Sequence, residues 1–110
     1  MPPELIGEWA HRTDYCGKGG GDTSHKLYID RLGWNEQGEE SGRCDLKTIL
    51  RSHEYYKTWT AEFSCSGGEI PGKVTERYIL HMGEFEDESG ELLVVVGSTY
   101  AINVFRRCKR

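Results

Sequence analysis

Cys44-Asp45-Leu46-Lys47-Thr48-Ile49-Leu50-Arg51 and Lys57-Thr58-Trp59-Thr60-Ala61-Glu62-Phe63-Ser64-Cys65 flank the turn His53-Glu54-Tyr55-Tyr56. A helix through Leu46–Trp59 is disfavoured by Thr48, Ile49, Tyr55, Tyr56, Thr58 and Trp59, whose branched or aromatic side chains suit a pleated strand. Folded as a hairpin centred between Glu54 and Tyr55, Cys44 faces Cys65, Leu46 faces Phe63, Thr48 faces Ala61 and Leu50 faces Trp59. Strand side chains alternate, so these eight share one face. The other face carries Asp45, Lys47 and Arg51 against Thr58, Thr60, Glu62 and Ser64, with Ile49 the exception. Directly opposed residues have Cβ atoms about 4.5–5.5 Å apart, from which small shifts reach disulfide geometry. A Cys44–Cys65 bridge is expected.

The chain has four cysteines. An even number in a short chain predicts two disulfides, for which three connectivities exist. Elimination then pairs Cys16 with Cys108, closing a long loop. Strands that simply run up and down place these two at opposite ends, unless the loop from Arg12 to Ser24 folds back. Cys16–Cys44 with Cys65–Cys108 therefore stays open. A four-thiolate metal site would bring its ligands in close pairs, and none of these cysteines is close to another. No metal site is predicted, and disulfides point to an oxidising compartment.

Strand patterns continue on both sides of the hairpin. Leu5–Ala10 reads as a first strand, and Lys26–Asp30 with Leu32–Asn35 as a short hairpin. Val74–Met82 puts Val74, Tyr78, Leu80 and Met82 on one face. Leu92–Val96 and Tyr100–Arg107 make a last hairpin around Gly97-Ser98-Thr99. Turn residues recur between these runs, and about eight short strands so spaced signal an all-β barrel or sandwich. The expectation is a single domain over residues 1–110, a small antiparallel up-and-down β-barrel stapled by disulfides. Trp9, Trp59, Phe63, Tyr78 and Val104 are assigned to its core. The loops 12–24, 36–43, 66–72 and 97–99 would share one rim, the first place to expect a partner.

The composition is 36% hydrophobic and 29% charged, with net charge −4. That balance argues against a general nucleic-acid binder, which needs a clustered positive face. Arg106, Arg107, Lys109 and Arg110 form a lone basic cluster at the end. The longest apolar run, Leu92-Leu93-Val94-Val95-Val96, falls far short of the ~20 residues of a spanning helix. Met1-Pro2-Pro3-Glu4 lacks the basic and apolar regions of a signal peptide, so either the protein is cytosolic or Met1 is a start added to a mature secreted form, and the cysteines favour the second.

Catalytic patterns are missing. Gly19-Gly20-Gly21-Asp22 lacks the Lys-Ser/Thr and helix of a P-loop. His11, His25, His53 and His81 show no metal-ligand spacing. Glu84, Glu86, Asp87, Glu88 and Glu91 lack the alternation of a calcium loop. No Gly-x-Ser-x-Gly elbow occurs, and bridged cysteines leave no thiol nucleophile. The chain is read as a non-enzyme without cofactors. Tyr15, Trp34, Tyr55 and Tyr56 sit in or near turns, where exposed aromatics anchor protein partners.

Gly7-Glu8-Trp9 on the first strand resembles the Gly-x-Trp signature of lipocalin-like (calycin) barrels. Arg106 or Arg107 resembles the arginine that packs on that tryptophan at their closed end. Gly7-Glu8-Trp9-Ala10, Cys16, Cys44, Cys65 and Arg107-Cys108 together resemble small exported bacterial proteins of poorly known function. That likeness implies an eight-stranded periplasmic barrel and no activity. Periplasmic inhibitors of secreted metalloproteases and of c-type lysozyme are similar in size and architecture. The former plug a cleft with an N-terminal segment, a place that Met1–Glu4 could take. The latter use a serine and tyrosine loop, to which Gly97-Ser98-Thr99-Tyr100 is faintly similar. The expectation is thus a monomeric periplasmic or secreted binding protein, an inhibitor of an envelope hydrolase or protease in its most concrete form. Its candidate partner-binding residues are Tyr15, Trp34, Ser98 and Tyr100. A carrier of a small apolar ligand inside the barrel, or a structural envelope protein, is the alternative.

Overall fold

The computed structural model describes residues 1–12, 16, 26–37, 42–67, 72–84, 90–97 and 101–108. A short 3-10 helix, Pro3–Leu5, precedes eight strands: β1 Gly7–Ala10, β2 Lys26–Asp30, β3 Gly33–Gln37, β4 Gly42–Arg51, β5 Thr58–Gly67, β6 Lys73–Glu84, β7 Glu91–Gly97 and β8 Ile102–Arg107. Each strand pairs with the next, and β8 pairs with β1, so the sheet closes into a barrel. All the pairings are antiparallel. Alternate residues point inward, which gives one apolar interior. Trp9, Leu27, Ile29, Trp34, Trp59, Phe63, Leu80, Met82, Leu93 and Phe105 are buried in it. Up-and-down order sends the β2–β3, β4–β5 and β6–β7 connections to the end where β1 begins. The other four connections go to the opposite rim.

The hairpin of β4 and β5 carries a correction. Cys44 faces Cys65 and Leu46 faces Phe63, as the alternation requires, but the register then shifts between Leu46 and Thr48. A β-bulge places two residues of one strand opposite one of the other. Beyond it Thr48 meets Glu62 and Leu50 meets Thr60, while Trp59 meets Arg51, not Leu50. Ile49 packs against the core and Leu50 is 73% exposed. Ile49, out of place in the regular register, is in place once the bulge is there.

Val104 is a second correction. It is 43% exposed, because Phe105 is the β8 residue that points inward. Val74 shares the inner face with Tyr78, Leu80 and Met82, but at the rim it is exposed.

The disulfides are Cys44–Cys65 and Cys16–Cys108, with Cα separations of 4.0 and 5.6 Å. The apparent conflict over Cys16 disappears in the stagger of a tilted barrel. β1 is only four residues long and meets β8 at two positions, Trp9 with Arg107 and Ala10 with Arg106. The end of β1 thus lies beside the end of β8, next to Cys108.

Gly33 is fixed by packing. A Cβ there would lie 1.9 Å from the Cys44 carbonyl oxygen, which no side chain accommodates without moving β3 from β4. The preceding turn is closed by the Leu32 N–H, which donates to Asp30 Oδ1 at 2.8 Å.

Two variants test the bulge. Ile49→Ala is expected to cost about 1–3 kcal/mol and Leu50→Ala less than about 0.5 kcal/mol in urea unfolding. An unbulged register gives the reverse order. Gly33→Ala is expected to lose about 2–4 kcal/mol in the same assay.

Candidate functional site

The closed end is assembled from the two ends of the chain. Arg107 lies over the Trp9 ring, 4.2 Å from its centroid. Its Nη1 donates to Ile6 O at 2.9 Å, its Nη2 donates to Glu4 O, and its Nε lies 3.0 Å from Glu91 Oε1. Trp9 Nε1 donates to Leu5 O at 2.9 Å, which holds the 3-10 helix across the opening. Gly7 takes a φ of 140°, which other residues rarely adopt, and a Cβ there would lie 2.8 Å from Arg107 Nη1. Of the two arginines singled out from the sequence, Arg107 makes this contact. Arg106, paired with Ala10 and Leu92, belongs to the outward set of β8. These contacts close and orient the barrel, and they are structural.

The upper interior is aromatic with a few polar atoms. Trp34 stacks at a tilt on Phe63 at 4.1 Å and meets Tyr78 edge-on at 5.1 Å. The Tyr78 hydroxyl donates to Glu76 on the same inward face of β6. Trp34 is therefore no surface anchor. It is 1% exposed, because β3 turns it inward opposite Ile29 and Cys44. Its Nε1 is buried without a hydrogen-bond partner among the described residues. Tyr15, Ser98 and Tyr100 lie outside the described residues, as do most of the four rim loops named above.

The turn between β4 and β5 presents the most exposed aromatic side chains among the described residues. Tyr55 and Tyr56 are 66% and 75% exposed. The turn is nevertheless held firmly. Ser52 Oγ accepts from the Glu54 and Tyr55 N–H groups, both at 3.2 Å. The Ser52 N–H donates to Thr58 O at 2.8 Å, and the Met82 N–H donates to Lys57 O at 3.0 Å. The Thr58 hydroxyl donates to Tyr56 O at 3.0 Å and lies 2.9 Å from His81 Nδ1. Lys57 takes a left-handed φ of 45° and sets its ammonium 5.4 Å from the Tyr56 ring centroid. Two large side chains are thereby displayed on a backbone whose freedom is already lost.

From this turn an apolar row runs around the outside of the barrel. Leu50 pairs with Thr60, Thr60 with Ile79, Ile79 with Val96, and Val96 with Ile102. Only the register places all five side by side.

On another part of the wall, Arg43 bridges Asp30 at 2.7 Å and Asp45 at 3.1 Å, bracing the β2–β3 turn against β4. The Arg43 hydrogen bond holds the Asp30 carboxyl at about 2, below its ordinary 3.8, and lowers Asp45 as well. Burial first, and then the Glu8 carboxylate, push the Tyr28 phenol up. Among the described residues no three His, Cys, Asp or Glu side chains converge as a metal-ligand set. No helix among them is long and apolar enough to cross a membrane.

Comparisons with protein-family models, curated proteins and solved structures find no match. The functional reading accordingly rests on the chain's own geometry.

The Asp30 carboxyl makes a pH prediction. A carboxyl depressed by folding adds stability that is complete above its unfolded value and is lost as pH falls through the folded one. Urea midpoints are expected to fall between about pH 4 and about pH 2, and Asp30→Asn to remove part of that fall.

Proposed function

We propose that this chain is a non-catalytic binding protein of the periplasm or the extracellular space, which docks a protein partner through the turn 52–58. The observation that carries this reading is the pair Tyr55 and Tyr56, strongly exposed on a turn fixed by its own hydrogen bonds. Tyrosine supplies a large amphipathic contact at low entropic cost, and a turn already ordered loses little more on binding. Exposed Leu50 and the row through Ile79 extend the apolar area beside it. Lys57, with its ammonium 5.4 Å from the Tyr56 ring centroid, adds a donor suited to a polar rim. Two disulfides fit an oxidising compartment. The most concrete form of the proposal is an inhibitor of an envelope hydrolase or protease.

The second reading, a carrier of a small ligand, has one observation in its favour. Among the described residues Trp34 Nε1 is a buried donor without an acceptor, and such a group costs about 1–3 kcal/mol until it is satisfied. A ligand with an acceptor oxygen would satisfy it. The interior below is filled by side chains, as in other small barrels, so a ligand would have to sit near the rim.

The test is a panel of purified envelope and secreted hydrolases, including a c-type lysozyme and a secreted metalloprotease. Each is assayed for inhibition and binding by the wild-type chain and by Tyr55→Ser/Tyr56→Ser. The proposal predicts a partner whose affinity falls about 100-fold or more in the double variant, roughly two hot-spot side chains' worth, with the unfolding midpoint unchanged. Equal binding by the double variant would contradict it.

A further inference from the structure

The outside of the barrel over β6, β7 and β8 is apolar. β7 carries Leu92-Leu93-Val94-Val95-Val96, apolar at every position. Leu93 and Val95 are buried in the interior, so Leu92, Val94 and Val96 point outward. An antiparallel strand with one wet face alternates apolar with polar, and an unbroken apolar run is the pattern of a strand covered on both faces. The register sets the neighbours of these three. Ile79, Val96 and Ile102 form one row across the three strands, His81, Val94 and Val104 the next, and Gly83, Leu92 and Arg106 the third. Ile79, Ile102 and Val104 are all exposed. The first two rows hold no lysine, arginine, aspartate or glutamate, and their His81 is tied through Nδ1 to the Thr58 hydroxyl at 2.9 Å.

The chemistry of this face fits a second copy of the chain. An interface between unlike proteins that also exist apart is about as apolar as the rest of their surface, whereas a homodimer interface is more so. Two copies also meet here without a like-charge contact. An isologous pair brings the same patch of each copy together about a two-fold axis. With that axis lying in the interface along β7, Val96 and Val94 each lie over their own counterparts, Ile79 lies over Ile102 of the second copy, and His81 over Val104. Each Arg106 then crosses a Gly83, which has no side chain, and the two Arg106 side chains stand on opposite sides of the axis. The two sheets run nearly parallel, within the roughly 30° of aligned sheet packing. At the observed exposures the nine residues present on the order of 500 Å² per copy, so the pair would bury about 1,000 Å², the area from which a specific interface begins.

We propose that the β6–β8 face joins two copies of this chain into a reversible two-fold dimer, with β7 on the axis. Covering the face removes the outward apolar side of β7 from water, and the modest area sets a weak affinity. Leu50 and the turn 52–58 stay outside the contact, so each copy in the dimer still presents Tyr55 and Tyr56. The inference is independent of the function proposed for that turn.

The test is sedimentation equilibrium of the oxidised full chain from about 5 μM to about 1 mM, with a dissociation constant below about 0.3 mM expected. Val96→Glu sets two carboxylates against each other across the axis and is expected to weaken the dimer about 30-fold or more. Ile79→Ser, a milder change on the same face, is expected to weaken it about fivefold or more. Both variants are read with the two disulfides and the near-UV spectrum retained. Leu32→Ser removes an equally exposed apolar side chain from the β2–β3 turn and is expected to leave the dimer unchanged, as is Tyr55→Ser/Tyr56→Ser. A monomer mass throughout the range, undiminished association of Ile79→Ser, or growth beyond the dimer would each overturn the proposal. A dimer lost in the double tyrosine variant and kept in Ile79→Ser would overturn it in favour of contact through the turn.

Discussion

The contact of Arg107 with Trp9 is the constraint on which the rest of this barrel depends. Eight antiparallel strands can close only if the last finds the first, and here that pairing spans two residues. So short a ladder would be weak by itself. The guanidinium strengthens it by lying on the indole, worth about 0.5–2 kcal/mol, and by donating to the Ile6 and Glu4 carbonyls. Trp9 in turn holds Leu5 over the opening. Residues from both ends of the sheet thus meet at one point, Gly7 supplies the positive φ there, and the Cys16–Cys108 bridge locks the strand end immediately beyond.

The end closed in this way also carries the connection between β4 and β5. The turn 52–58 is anchored by hydrogen bonds to β5 and β6 and spends its tyrosines on solvent. These are the side chains that the proposed partner would meet. A rigid scaffold with ordered displays suits binding, and the disulfides maintain that rigidity where thiols are oxidised.

Much of the fold was legible because alternation is a local signal. The apolar residues of β4 and β5 sorted well enough to pair Cys44 with Cys65. The bulge was not legible, since an extra residue obeys the partner strand and not its own neighbours; Ile49 was its one trace. Val104 and Phe105 are adjacent and both apolar, so a shift of one residue exchanges inside for outside. Trp34 looked like a loop aromatic because the hairpin before it is so short. The Arg107–Trp9 contact was readable as a resemblance, though not which of two adjacent arginines makes it. The apolar row from Leu50 to Ile102 needed the register of five strands, which no single segment encodes. Tyr15, Ser98 and Tyr100 fall outside the described residues.

The most direct test of the account is a peptide map of the unreduced protein, with intact mass before and after reduction. The account predicts two bridges, Cys44–Cys65 and Cys16–Cys108, the first fixing the hairpin and the second fixing the seam. Cys16–Cys44 with Cys65–Cys108 would contradict the strand arrangement. Four free thiols would contradict both the stapled barrel and the oxidising compartment on which the functional proposal depends.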